Sequence, residues 1–388
     1  MKNILTLNSI SPVINDVFDA TYKVGSDVTA PDGILVRSFK MQGYELNKNT
    51  VAIARAGAGV NNIPCEEYAE QGVVVFNTPG ANANAVKELV ICALLLGSRK
   101  IADSLSWVKT LKGQGAEVSK AVEKGKSQFV GPEIMGKKLG IIGLGAIGAK
   151  VADAAIGLGM QVIGYDPFLS VNSALRLSRQ VKVVKELDDI YKECDYITLH
   201  IPYIASQNKD FINGGNIRKM KNGVVIINCA RGELVNNEDI IKAVDSSKVS
   251  RYIVDFPADE LIGVNNIVCL PHLGASTPEA EDNCAEMAAR QLIDYIENGN
   301  IVNSVNYPNC SMPRTEDSRI VILHKNVSNM IAQITSKVGS EGINITHMTN
   351  QSRGEYAATI LDVNTKLTDD AIKHISSLDG IIRVRVID

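Results

Sequence analysis

Three side chains in the second half of this 388-residue chain have types and settings suited to proton transfer beside a carboxylate: Arg231 in CARGEL, Glu260 in VDFPADE and His272 in CLPHLGAST. Arg231 follows the apolar run 224–228, Glu260 lies just past Asp255, and His272 closes the run 267–270. A planar guanidinium meets a carboxylate with two charge-assisted bonds and polarises an adjacent carbonyl. An imidazole, with an unperturbed pKa of about 6.5, exchanges a proton near neutrality. A carboxylate beside it fixes the ring and favours its protonated form. Taken singly, the three are an ion-paired surface arginine, a solvated loop acid and a satisfied imidazole; together they describe acid–base chemistry. The triple supplies no hydride donor or acceptor, so oxidation or reduction requires a cofactor. His200, at the end of another apolar run, reads as a pocket-lining or locally packed residue without assigned chemistry.

The cofactor has its own signature. Residues 138–148, KLGIIGLGAIG, are an apolar strand running into Gly143, Gly145 and Gly148. Gly143 permits a tight turn, Gly145 lets backbone approach a pyrophosphate, and Gly148 lets the next helix pack closely. The N-terminus of that helix offers free N–H groups and the positive end of its dipole. A second apolar run, 161–165, ends at Asp166, which can accept from both ribose hydroxyls and repel a 2′-phosphate. Pro167 and Phe168 add no cation, so the pattern favours NAD over NADP.

These residues need strand ends to position them. Apolar strands near 3–7, 34–36, 51–54 and 73–76, then 139–142, 162–165, 181–184, 196–199, 224–228, 252–255 and 267–270, alternate with helical stretches. That alternation predicts parallel α/β architecture, with Asp166, His200, Arg231, Asp255 and His272 at carboxyl ends of strands. Helical runs at 84–99 and 279–298 are expected to link the α/β units and return the chain. The expected domains are therefore 1–97 with 277–307, then 98–276. A linker at 308–317 leads to a separate βαββαβ domain over 318–388. Lysines 109, 112, 120, 124, 126, 137 and 138 stand against Glu117, Glu123 and Glu133, either as a solvated face or as a cationic lip. A net charge of −3 gives no general attraction to nucleic acid or anionic lipid, and no apolar run approaches membrane-spanning length. Residues 1–7 lack the apolar core of a signal peptide, and seven scattered cysteines without a CxxC pair argue against a metal centre or disulfide framework; the expected location is cytoplasmic.

The segments ILVRSFK (34–40), ARAGAGVNNI (54–63), FVGPEIMGKKLGIIGLGAIG (129–148), ITLHIP (197–202), MKNGVVIINCARGELVNNEDI (220–240) and LPHLGASTPEAEDN (270–283) carry a resemblance. The chain resembles the D-isomer-specific 2-hydroxy-acid dehydrogenase family over nearly its whole length. The resemblance implies two doubly wound parallel-sheet domains, one of Rossmann type and one flavodoxin-like, with a ferredoxin-like C-terminal domain. It implies that Arg231 binds substrate, Glu260 partners the histidine and His272 is the acid/base. Cofactor contacts are implied at Ala146, Ile147, Asp166, Cys229, Ala230, Asp255 and Gly274, and substrate contacts at Arg55, Gly57 and Asn82. The implied reaction is NAD-dependent oxidation of 3-phospho-D-glycerate to 3-phosphohydroxypyruvate, the first step of serine biosynthesis. A glyoxylate or hydroxypyruvate reductase and an NAD-sensing binding protein are the alternatives. The substrate phosphate has five candidate partners, Arg37, Lys40, Arg55, Lys124 and Lys126, among which the sequence does not choose. The terminal unit resembles an ACT domain, in which His324, Asn326 and Asn344 would grip an L-serine effector; the alternative is a purely structural, dimer-forming role. The family precedent implies a homodimer or homotetramer. Four departures from the family pattern stand out: Ala146 in place of Arg, Asn61 in place of Asp, Leu261 in place of Pro, and Ser328-Asn329 in place of Pro-Gly.

Overall fold

A computed structural model describes residues 1–316 and 318–388. Two compact units result, Met1–Asn82 with Pro278–Asp388, and Ala83–Thr277. The first unit opens with β1 (Lys2–Leu7), β2 (Tyr22–Gly25), β3 (Gly33–Val36), β4 (Ala52–Arg55) and β5 (Val74–Phe76), in the order β2-β1-β3-β4-β5 with every pair parallel. Gly33–Val36 is wholly buried, as both faces of a parallel sheet require. The edge strand β2 has no counterpart in the sequence reading, because only Tyr22 of its four residues is buried and no apolar run marks it.

The second unit carries β6 (Lys138–Ile142), β7 (Gln161–Tyr165), β8 (Lys182–Val184), β9 (Tyr196–Leu199), β10 (Val224–Asn228), β11 (Val249–Val254) and β12 (Ile267–Cys269). Their order is β12-β11-β10-β9-β6-β7-β8, again all parallel. The order reverses between β6 and β9, the crevice where doubly wound sheets bind ligands. Helix Ala83–Ser98 belongs here and not, as the expected boundary at 97/98 has it, to the first domain. Its buried Val86, Val90, Ala93 and Leu94 share a core with Leu139, Ile141, Val151, Ile227 and Ile253. An Ala- and Leu-rich helix shows in sequence that it is buried, but not against which sheet.

The C-terminal region is antiparallel: β13 (Ser318–Lys325), β14 (Ile345–Arg353), β15 (Tyr356–Val363) and β16 (Ile381–Ile387), ordered β14-β15-β13-β16. Helices Met330–Ser340 and Asp369–Ser376 cover one face through Met330, Ile334, Val338, Ala371 and Ile375. From the other face Val321, Leu323, Ala358 and Ile360 join Phe76, Leu292 and Tyr295 in one core. The βαββαβ order expected over 318–388 is thus present with its own antiparallel sheet, and the region clusters with the first unit. The expected linker at 308–317 is tied down at its start: Cys310 bridges to Ile301, and Cys310 Sγ donates to Ala358 O. Its last residue, Asp317, lies outside the described residues. No described helix is long and apolar enough to cross a membrane.

Candidate active site

All seven strands of the second sheet run one way, so their carboxyl ends share an edge, and the chemistry-bearing residues of this unit lie along it. After β6 the chain turns at Gly143, whose φ of +96° disfavours any side chain. A Cβ there would meet His200 O at 2.5 Å, and one at Gly148 would meet Gly143 O at 2.0 Å. At Gly145 a Cβ would meet nothing within 4 Å, so the space over this helix start is open. Gly145 caps helix Ala146–Gly157 without a side-chain hydrogen bond, leaving the first-turn N–H groups to an outside acceptor. Ala146 and Ile147 occupy that first turn. Asp166, just past β7, accepts from Leu144 N (2.9 Å) and Phe168 N (2.9 Å), which fixes both carboxylate oxygens beside the loop. An open, uncapped helix start beside a fixed strand-end carboxylate fits a dinucleotide. His200 packs under the loop, its Nε2 3.0 Å from Thr198 Oγ1, and burial pushes its imidazole down to about 3. Such a ring stays neutral and is no acid–base group near pH 7.

At the neighbouring ends of β10, β11 and β12 stand Arg231, Phe256 and His272. The Phe256 ring lies 4.6 Å from the His272 ring, centroid to centroid, and Arg231 Cζ lies 5.8 Å from the Phe256 centroid. Guanidinium and imidazole thus both lie close to one aromatic ring. Two buried polar residues hold the backbone that carries them. Asn228 is fully buried; its Oδ1 accepts from Ala230 N and Arg231 N, and its Nδ2 donates to Arg231 O. Asp255, 1% exposed, accepts from Leu273 N and Gly274 N, both at 2.8 Å. Between them the clamps fold both loops onto strand ends, and His272 itself takes a left-handed φ of +57°. A non-glycine residue there is uncommon and persists only where its surroundings over-determine it. Cys229 is buried, and its thiol is pushed up to about 12, so it remains an unreactive thiol.

Glu260 departs from the expected pairing. Its Oε1 accepts from Asn237 Nδ2 (2.9 Å), and among the described residues no hydrogen bond or ion pair joins it to His272. The Asn237 amide and its own backbone N–H hold its carboxyl below the ordinary value. It lines a groove of about 590 Å³ with Phe256, Pro257, Asn237 and Lys209. Sequence reasoning missed Asn228 and Phe256. The first carried a signal, a polar residue closing the otherwise apolar strand VVIIN; the second lay within a quoted motif but reads as ordinary packing.

On the first unit, Arg55 closes β4 and donates from Nε to Arg37 O (3.1 Å). Gly57 follows at φ +153°, and a Cβ there would lie 2.3 Å from Arg55 Nη1, so glycine is what admits the guanidinium. Arg37 pairs with Glu281 (2.5 Å), Asn82 ends the unit's first segment, and Lys40 is exposed. Lys126 pairs with Glu123, and Lys124 is exposed on helix Val118–Gly125 of the second unit.

The three residues expected to grip an effector do not converge. His324 is 2% exposed, with Nδ1 on Lys325 O and Nε2 on Thr359 Oγ1, so both ring nitrogens are committed inside the sheet. Asn326 sits beside Glu355 and Gly354 at one end of β15, whereas Asn344 meets Asn364 at the other. An eight-residue strand separates those ends by roughly 25 Å. Asn329, where the family pattern has glycine, keeps a left-handed φ of +66° that asparagine tolerates.

Residues 92–274 match the model of the D-isomer specific 2-hydroxyacid dehydrogenase NAD binding domain. The chain is 30% identical to the D-3-phosphoglycerate dehydrogenase of Haemophilus influenzae, over 87% of this chain and 81% of that protein. It is 39% identical to the hydroxypyruvate reductase of Thermotoga maritima over 61% of this chain and 74% of that one. Several other curated relatives are matched over only about half their length. The NAD⁺-bound 3-phosphoglycerate dehydrogenase structure from Entamoeba histolytica superposes with a TM-score of 0.60 at 26% identity, covering 79% of this chain and 98% of that one.

Proposed function

The chain belongs to the D-isomer-specific 2-hydroxyacid dehydrogenase family, and from that premise we propose that it oxidises 3-phospho-D-glycerate to 3-phosphohydroxypyruvate with NAD, the opening step of serine biosynthesis. One observation carries the reading: Arg231 and His272 both lie close to Phe256 on the sheet edge that also bears the uncapped glycine loop. When bound, NAD supplies the acceptor for the hydride leaving C2 of the substrate. The helix start at Gly145–Ile147 holds its pyrophosphate through backbone N–H groups. Asp166 keeps lone pairs for the ribose hydroxyls and repels a 2′-phosphate.

His272 takes the 2-hydroxyl proton at a ring nitrogen, while Arg231 anchors the carboxylate through paired N–H donors. Glu260, ionised near neutrality, has the assigned part of stabilising the imidazolium, for which its side chain must release the Asn237 amide. Asp255 and Asn228 keep the two loops in register with each other. On the first unit we assign substrate contact to Arg55, Gly57 and Asn82. A cytoplasmic, homo-oligomeric enzyme belongs to the same proposal.

The similarity to a hydroxypyruvate reductase supports a second reading, the same chemistry on an unphosphorylated acid. Steady-state NAD reduction with 3-phospho-D-glycerate and with D-glycerate separates the two. Loss of the phosphate's charge-assisted bonds is expected to lower kcat/KM about 10–100-fold, from about 1.5–3 kcal/mol per such contact. Equal efficiency with D-glycerate would exclude the phosphorylated substrate and favour the second reading.

A further inference from the structure

At the opposite, amino-terminal edge of the second sheet lies a cavity of about 310 Å³ that the proposed reaction does not use. It forms where helix Ala83–Ser98 ends at Gly97 and Ser98, beside the starts of β9 and β10 and the outset of β11 at Ser250 and Arg251. Arg251 is 3% exposed and lines this cavity. Its Nη2 pairs with Asp103, but its buried Nη1 has no hydrogen-bond partner. A buried guanidinium N–H without an acceptor is costly, and native structures usually supply one.

The charges around the cavity do not cancel. Asp103 answers Arg251, and Asp195 answers Lys221 (2.9 Å) while accepting from Lys138 N. Burial pushes Asp195 up, but those two bonds and the nearby Lys137 outweigh it and keep the carboxylate ionised. Lys100 and Lys137 also line the cavity, and among the described residues neither forms an ion pair. Two positive charges are left over beside a guanidinium donor lacking an acceptor. Lys137 is also where the lysine-rich run meets a site: Lys120, Lys126 and Lys138 of that run are paired with glutamates instead.

We propose that this amino-terminal edge binds a small dianionic oxyanion of the phosphate class, received by Arg251 Nη1 and neutralised by Lys100 and Lys137. An oxyanion gives the guanidinium its missing acceptor, and a dianion matches the unbalanced charge. The groups concerned all lie in one compact unit, on the sheet edge away from the glycine loop.

The test is calorimetric titration of the full chain with inorganic phosphate, at ionic strength held constant with chloride. The Lys100→Gln/Lys137→Gln double variant changes only exposed side chains, so it keeps the fold, and phosphate affinity should fall at least about tenfold. Arg251→Gln should weaken binding as well, and Arg55→Gln, on the first unit, should leave it unchanged. Unaltered phosphate affinity in the double variant would overturn the proposal, as would binding heat that disappears with Arg55→Gln. A dimer by light scattering that falls to monomer in Lys100→Glu/Lys137→Glu would also overturn it, because a second copy would then cover this face.

Discussion

At the carboxyl edge of β10–β12, the buried polar residues Asn228 and Asp255 give their oxygens to backbone N–H groups, while Glu260 and His272 remain exposed and Arg231 half-buried. In the C-terminal sheet the polar residues are buried too, but they hold one another. Arg319 and Asp362 are both fully buried and joined through two bonds, at 2.6 and 3.0 Å. Arg319 also donates to Asn298 O, Met312 O and Pro313 O, while His324, Thr359 and Asn350 form a second closed set. Burial alone therefore does not mark a functional group. A closed network fastens chain to chain, whereas a clamp on backbone amides leaves neighbouring side chains at the surface, where a ligand can reach them.

The largest expected effect breaks the comparison on its chemical side. His272→Ala should lower kcat by about 10²–10⁴, the range of positioned acid–base catalysis, with NAD affinity and melting temperature nearly unchanged. Near-normal turnover would remove the assigned role. The converse holds in the C-terminal sheet. Arg319→Met strands Asp362 as an unpaired buried charge and should destabilise the chain by about 3–5 kcal/mol. The Arg319→Met/Asp362→Leu double variant, read by thermal melting, should recover much of that loss. If the single variant melts like the parent, the closed network is not a fastening.

Asp255 sits between these extremes, since it is buried like Arg319 but holds the loop that carries His272. In Asp255→Asn one of the two clamped N–H groups faces an amide donor in place of an acceptor. A loss of about 1–3 kcal/mol follows from that lost bond, together with a fall in kcat exceeding any fall in stability. A stability loss with kcat unchanged would place Asp255 with the fastenings.

How much of this was legible depended on the range of the interactions. The glycine loop and Asp166 could be read because each does a local job at fixed spacing from one strand. Arg231 and His272 could be read because strand ends in a parallel sheet share an edge whatever the loops do. Phe256 could not, since its place beside both follows from the way two loops fold across three strands. Arg319 read as an ordinary strand residue because its partner lies 43 positions away. The effector residues His324, Asn326 and Asn344 matched a pattern, and within one chain antiparallel register places them at opposite ends of a sheet or inside it. The assignment of helix Ala83–Ser98 failed for a related reason. Apolar composition announces burial without naming the partner.

The smallest expected effect concerns His200, a half-buried polar group of the active-site sheet that behaves like the closed sets. Burial holds its imidazole near pH 3 in the folded chain, whereas the unfolded chain binds that proton near pH 6.5. Below about pH 6.5 the unfolded state therefore takes up a proton that the folded state refuses. The stability associated with neutral His200 is complete above pH 6.5 and declines steadily as pH falls toward 3. His200→Gln keeps a hydrogen-bonding group for Thr198 Oγ1 but does not titrate. It should flatten the slope of melting temperature against pH between about 6.5 and 4 while leaving the melt at pH 8 nearly unchanged. An identical slope in the variant would mean the ring is protonated where it sits, and His200 would then be a chargeable group beneath the glycine loop, on the functional side of the comparison.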